Sequence, residues 1–66
     1  MLYIGVLQFT LEIPYATSLK DKRSVIKSLR DKLRRRFNVS ITEFEDLDSA
    51  TIATLGAVVA GSDTKH

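Results

Sequence analysis

Lys20, Arg23, Lys27, Arg30 and Arg34 recur at spacings of three, four, three and four, the rhythm that places side chains on one face of an α-helix. Five cations in line would do one kind of chemistry, which is to hold anions. At a rise of about 1.5 Å per residue the stripe is about 21 Å long, a match for a run of backbone phosphates. Full engagement would give a log–log salt slope of about −4.5 on duplex DNA and less on single strands. The stretch that carries the stripe, SLKDKRSVIKSLRDKLRRRF from Ser18 to Phe37, holds nine of the ten Lys and Arg residues of the chain. Projected at about 100° per residue, the stripe falls nearly opposite an apolar arc of Leu19, Val25, Ile26, Leu29, Leu33 and Phe37.

The competing reading is the wet side of a helix. Lys and Arg are good helix formers. Arg34, Arg35 and Arg36 stand in the last turn, where cations complement the helix dipole. Asp31 is spaced to pair with Lys27 and Arg35, and Lys22 and Arg36 are expected to snorkel out of the apolar arc. Solubility alone, however, does not call for five like charges on one line. The net charge of +2 conceals the segregation, because Lys20 to Arg36 sums to +7 and the rest of the chain to −5.

Other chemistry is sparse. Glu43, Glu45, Asp46 and Asp48 could offer oxygens to a hard cation, but no glycine follows to shape a calcium loop, and turn solvation is the expected role. His66 is the only histidine and lies at the last position. Neither Ser18 nor Ser24 has a base placed for it by any recognisable spacing. The expectation is a protein that is not an enzyme and takes no metal or cofactor. For stacking on bases, Tyr15 is the best free ring and is placed beside the stripe. Tyr3 and Phe9 are assigned to the core, so contact with nucleic acid should be to phosphates and shape.

These side chains need elements to position them. Leu2 to Ile13 alternates as a strand, with Leu7, Phe9, Leu11 and Ile13 on one face and Gln8, Thr10 and Glu12 on the other. Its first half is apolar on both faces, and Pro14 ends it. Ser18 is a helix N-cap with Asp21 three residues on, and the helix runs to about Arg36, with Asn38 as a left-handed residue after it. Val39 to Glu45 is a second strand, EDLDSA a turn, and Thr51 to Ala60 a third strand. Gly61 reads as a strand exit, and Ser62 and Asp63 as the N-cap of a further helix.

The order strand, helix, strand, strand is the first two-thirds of a split βαβ sandwich, an α+β ferredoxin-like fold lacking its second helix and fourth strand. In that fold the first and third strands lie side by side in the centre. The 66 residues make a single domain, expected to be an incomplete unit or to have its exposed edge covered by another chain. No cysteine is present, in keeping with a reducing compartment. The apolar N-terminus alternates too early to span a bilayer, so a soluble cytoplasmic protein without a membrane partner is expected.

The pieces GVL at the first strand, SLKDKR at Ser18 to Arg23, RRRFNVS at Arg34 to Ser40, and the SDTKH terminus resemble the YlxP-like family of small uncharacterised bacterial proteins, across almost the whole chain. The resemblance implies a ferredoxin-like sandwich and a longer natural chain. It carries no catalytic residue, and relatives often have an aromatic where this chain has DLDSATIATLG, Asp46 to Gly56. Genes of the family tend to lie among genes for translation and ribosome maturation, which implies RNA. The functional expectation is therefore accessory binding of structured RNA or ribosomal particles through Lys20, Arg23, Lys27, Arg30 and Arg34. The alternative is a protein-interaction or self-assembly module, a homo-oligomer formed through the exposed edge strand or through the sheet face away from the helix, with Ile4, Val6 and Phe44 as its interface.

Overall fold

A computed structural model describes residues 1–62. Strand β1 (Leu2–Glu12) leads to helix α1 (Leu19–Arg36), then to strands β2 (Val39–Glu45) and β3 (Ile52–Ser62). The three strands form one antiparallel sheet in the order β1-β3-β2. This is the α+β split sandwich expected from the pattern, with one helix on one face. β1 and β3 are neighbours as expected, but β3 is the centre and β1 an edge among the described residues.

Side-chain alternation decides what each face does. Phe9 opposes Leu55, Leu7 opposes Ala57 and Gly5 opposes Val59 across β1 and β3, while Ile41 opposes Ala57 across β2 and β3. These residues face the helix. Ile26, Ile41, Ala53 and Leu55 make the buried core, with Phe9, Leu11, Leu29, Leu33, Val39 and Ala57 packed around them. The helix lies over β2 and β3, so the helix-side face of β1 is covered at one end only. Toward its start an apolar cleft of about 430 Å³ opens, walled by residues such as Leu7, Phe9, Leu33, Phe37, Val39 and Val59. Tyr3, assigned to the core from its parity, is therefore exposed. It points to the helix side of the sheet but lies beyond the helix.

Local chemistry sets the boundaries. Ser18 is extended (φ −155, ψ 164) and its hydroxyl accepts from the Asp21 amide, satisfying one of the orphan donors of the first turn. Asp21 reaches back one residue further than a capping box would, to the amide and hydroxyl of Thr17. At the other end Phe37 takes an extended conformation (φ −134) and its amide closes on the Leu33 carbonyl. The left-handed turn expected at Asn38 is not used. The one non-glycine residue with positive φ among the described residues is Asp46, at φ 58 in the β2–β3 turn. Asp tolerates that region because its short side chain bonds locally, and here its carboxylate accepts from the Thr54 hydroxyl. Ile13 extends the first ladder by donating to Thr51. Gly61 and Ser62 continue β3 opposite Tyr3 and Leu2, so Ser62 is a ladder residue and not a cap. Asp63 and His66 lie outside the described residues.

Candidate nucleic-acid interface

The basic stripe is built by α1 alone. None of the three strands contains a Lys or Arg. Arg23, Lys27, Arg30 and Arg34 border one shallow concavity of about 520 Å³, lined also by Ile26 and Asp31 of α1 and by Glu43 of β2. Lys20 is exposed one turn earlier and does not line it.

The stripe does not lie opposite the core. Arg30 follows Ile26 by four residues, only about 40° further round the helix, and Ile26 is in the core. Arg30 is thus carried toward the sheet and half-buried, with its Nε shielded from solvent and without a partner. The stripe occupies the flank of α1 that overlooks β2 and meets Glu43 across the concavity.

Its electrostatics are mixed but remain cationic. Lys27 Nζ lies 3.2 Å from Asp31 Oδ2, and both groups are well exposed, so water and salt weaken the pair. Glu43 is engaged from beneath by Lys22, whose Nζ is 2.7 Å from Glu43 Oε2. Lys22 Nζ also donates to the carbonyls of Asp46 and Ile52, at 2.9 and 3.1 Å. Counting Lys22, five cations meet two carboxylates here.

Lys22 was expected to snorkel. It is instead 1% exposed, because the β2–β3 turn and Glu43 give its ammonium three partners within the fold. The partners lie 21 to 30 residues further along, so within the helix sequence the one hint is a lysine inside an apolar arc. Arg36, the other intruder, is exposed.

Tyr15 is exposed but stands on the other flank, beside Leu11, Ile13, Val25 and Lys32, and cannot stack with a ligand held on the stripe. Phe44 lies on the sheet face away from the helix, its ring 3.5 Å from where a Cβ on Gly56 would be. Ile4 and Val6 share that face by alternation, and all three are exposed. The acids do not gather: Glu43 is held by Lys22 and Asp46 by Thr54, and among the described residues no group of three or more His, Cys, Asp or Glu is placed to hold a metal. Among the described residues no helix is long and apolar enough to cross a membrane.

Asp21, at the start of the stripe, is held below the ordinary carboxylate value. The chief cause is the hydrogen bond from the Thr17 hydroxyl, followed by that from the Thr17 amide. It therefore stays ionised and caps the helix rather than joining the stripe's chemistry.

A family model described as "Protein of unknown function (DUF503)" matches residues 4–66. No curated protein matches the chain.

Proposed function

We propose that this chain, which belongs to the DUF503 family of proteins of unknown function, is a non-catalytic module that grips the phosphates of structured RNA with the β2-side flank of α1. The observation that supports this reading is the convergence of Arg23, Lys27, Arg30 and Arg34 on one concavity, in a chain whose strands carry no cation at all. Arginine forks suit phosphate oxygens geometrically. The rings are placed elsewhere, so recognition is of backbone and shape. The finer placement among YlxP-like proteins, a cytoplasmic location and a ribosomal target belong to the same proposal, resting on SLKDKR, RRRFNVS and the setting that resemblance implies.

The geometry lowers the expected number of phosphates. Lys20 is outside the concavity, and Asp31 and Glu43 offset part of the charge, so about three phosphates are engaged and the salt slope should be about −2 to −3. The test is titration of a fluorescent RNA hairpin between about 50 and 300 mM salt. It compares the parent chain with a triple variant, Arg23→Gln, Lys27→Gln and Arg34→Gln. Arg30 is spared because its half-buried position beside Glu43 would confuse binding with folding. Loss of at least about tenfold in affinity and a slope near zero in the triple variant supports the reading. Equal affinity in both chains, with unchanged far-UV circular dichroism, sinks it.

A further inference from the structure

We infer that the sheet face turned away from α1 is an interface for a second copy of this chain. The sheet's two faces have opposite needs. One is covered by the helix over β2 and β3, with the cleft beside Leu7 left open, while the other presents Ile4, Val6, Val58 and Phe44 to solvent along its length, Ile4 at 66% and Val6 at 71% exposed. These are contiguous: Val6 pairs with Val58 and Ile4 with Ala60 in the ladder, and the Phe44 ring lies over Gly56 in the central strand. Ala60 keeps the face low beside Ile4 while the Phe44 ring fills the space over Gly56, which leaves a surface on which a second sheet can pack at the usual ~10 Å.

Charge identifies the occupant. The strands hold no Lys or Arg, so this face does not attract nucleic acid or an anionic lipid surface. Its acids, Glu12 and Glu45, pair with Ile52 and Thr54, at the end of the sheet remote from Ile4 and Val6. The partner is therefore an uncharged apolar surface of similar flatness, and the same face of another copy supplies one. A two-fold axis through the Val6–Val58 pair lays patch on patch and sends the two sets of acids to opposite ends, avoiding like-charge contact.

Burial argues the same way, and area sets the strength. Among the described residues six hydrophobic residues are buried, four of them the cluster of Ile26, Ile41, Ala53 and Leu55, which is thin for a domain without disulfides, and sheet-on-sheet packing adds a second layer. Seven residues on each of three strands span about 350 Å² per copy from strand rise and spacing. The apolar part is smaller, because Gln8, Thr10, Ser40 and Thr42 share the face by alternation; this is small for a permanent dimer, so the association is weak and concentration-dependent.

The experiment uses adjacent residues on opposite faces. Val6 is on the proposed interface, whereas Leu7, 60% exposed, faces the cleft beside α1. Sedimentation equilibrium of the intact chain is run from about 10 μM to about 1 mM, the range expected for a small interface. The variants are Val6→Lys, Ile4→Lys and Leu7→Lys, each checked by far-UV circular dichroism. The expected result is a twofold rise in mass for the parent chain and for Leu7→Lys. Val6→Lys should shift the midpoint at least tenfold higher, and Ile4→Lys serves should that variant fail to fold. A parent chain monomeric throughout overturns the proposal, as does a dimer that survives both Val6→Lys and Ile4→Lys, or one abolished by Leu7→Lys. None of these outcomes bears on RNA binding, which uses the opposite side of the molecule.

Discussion

Lys22 Nζ lies 2.7 Å from Glu43 Oε2, a contact between the first turns of α1 and the middle of β2 in which the lysine is fully enclosed and the carboxylate nearly so. The same ammonium holds the carbonyls of Asp46 and Ile52 on either side of the β2–β3 turn. One side chain thus ties helix, strand and turn together. It also pins Glu43, one of the two acids that line the concavity with the basic stripe, which limits how much free negative charge a phosphate ligand would meet there.

Removing one partner of an enclosed pair leaves the other desolvated and unpaired. Lys22→Met abandons Glu43 and two carbonyls, and is expected to cost about 3–5 kcal/mol. Glu43→Gln leaves Lys22 its two carbonyls, and should cost less, about 1–3 kcal/mol. Urea midpoints of the two variants decide this. A Lys22→Met chain as stable as the parent would mean that the contact contributes nothing net to folding.

The start of α1 predicts a pH response. Asp21 is held below its ordinary value of 3.8 by Thr17, so its folded-state proton affinity is lower than its unfolded one. The stabilisation is present above that ordinary value and is lost as pH falls below it. Asp21→Asn should flatten this part of the acid limb of the stability profile, measured by urea unfolding at successive pH values. An unchanged acid limb in the variant would assign the response to other carboxylates. Ser18→Ala, which removes the cap itself, should cost about 1 kcal/mol at neutral pH.

Much of the fold was legible in the sequence because single-element rules govern it. The period of Phe9, Leu11 and Ile13, the cap at Ser18, the stop at Pro14 and the span of β2 follow from residues within a few positions of one another. Three of the misplacements are cases where a distant element intervened. Lys22 is inside because Glu43 and the turn meet it there. Tyr3 is exposed because α1 does not reach it, although its parity is right. The stripe flanks β2 because Ile26 faces the sheet and carries Arg30 with it. Asn38 is not left-handed, since Phe37 leaves the helix in an extended conformation and enters β2 directly. Tyr15 is a free ring, yet the loop after Pro14 sets it on the β1 side.

Leu55, wholly enclosed in β3, packs in the core cluster with Ile26 of the helix. Leu55→Ala should cost about 2–5 kcal/mol through lost transfer and a residual cavity. Val58→Ala, three residues along the same strand but on the outer face, should cost well under half as much in the monomer. Thermal unfolding at low concentration, where association does not contribute, provides the comparison; equal losses would mean that the outer face is buried in the monomer too.

Two glycines of β3 make opposite predictions from the same substitution. A Cβ on Gly56 would stand 3.5 Å from the Phe44 ring, an ordinary contact, whereas one on Gly61 would meet the Tyr3 ring at 2.7 Å. Neither backbone is left-handed, so space and chain entropy alone decide. Gly56→Ala should stabilise by about 0.4–1 kcal/mol, because the unfolded chain loses freedom and the new methyl packs on Phe44. Gly61→Ala gains the same entropy but must displace Tyr3, a half-exposed ring that can swing outward at the loss of its contact over the strand. The net effect should be a destabilisation of up to about 1 kcal/mol. Adding Tyr3→Ala separates the two terms, since without the ring Gly61→Ala should become as favourable as Gly56→Ala. Double-mutant thermal unfolding reads the coupling directly, and additive effects at positions 3 and 61 would show that the tyrosine does not rest on the glycine.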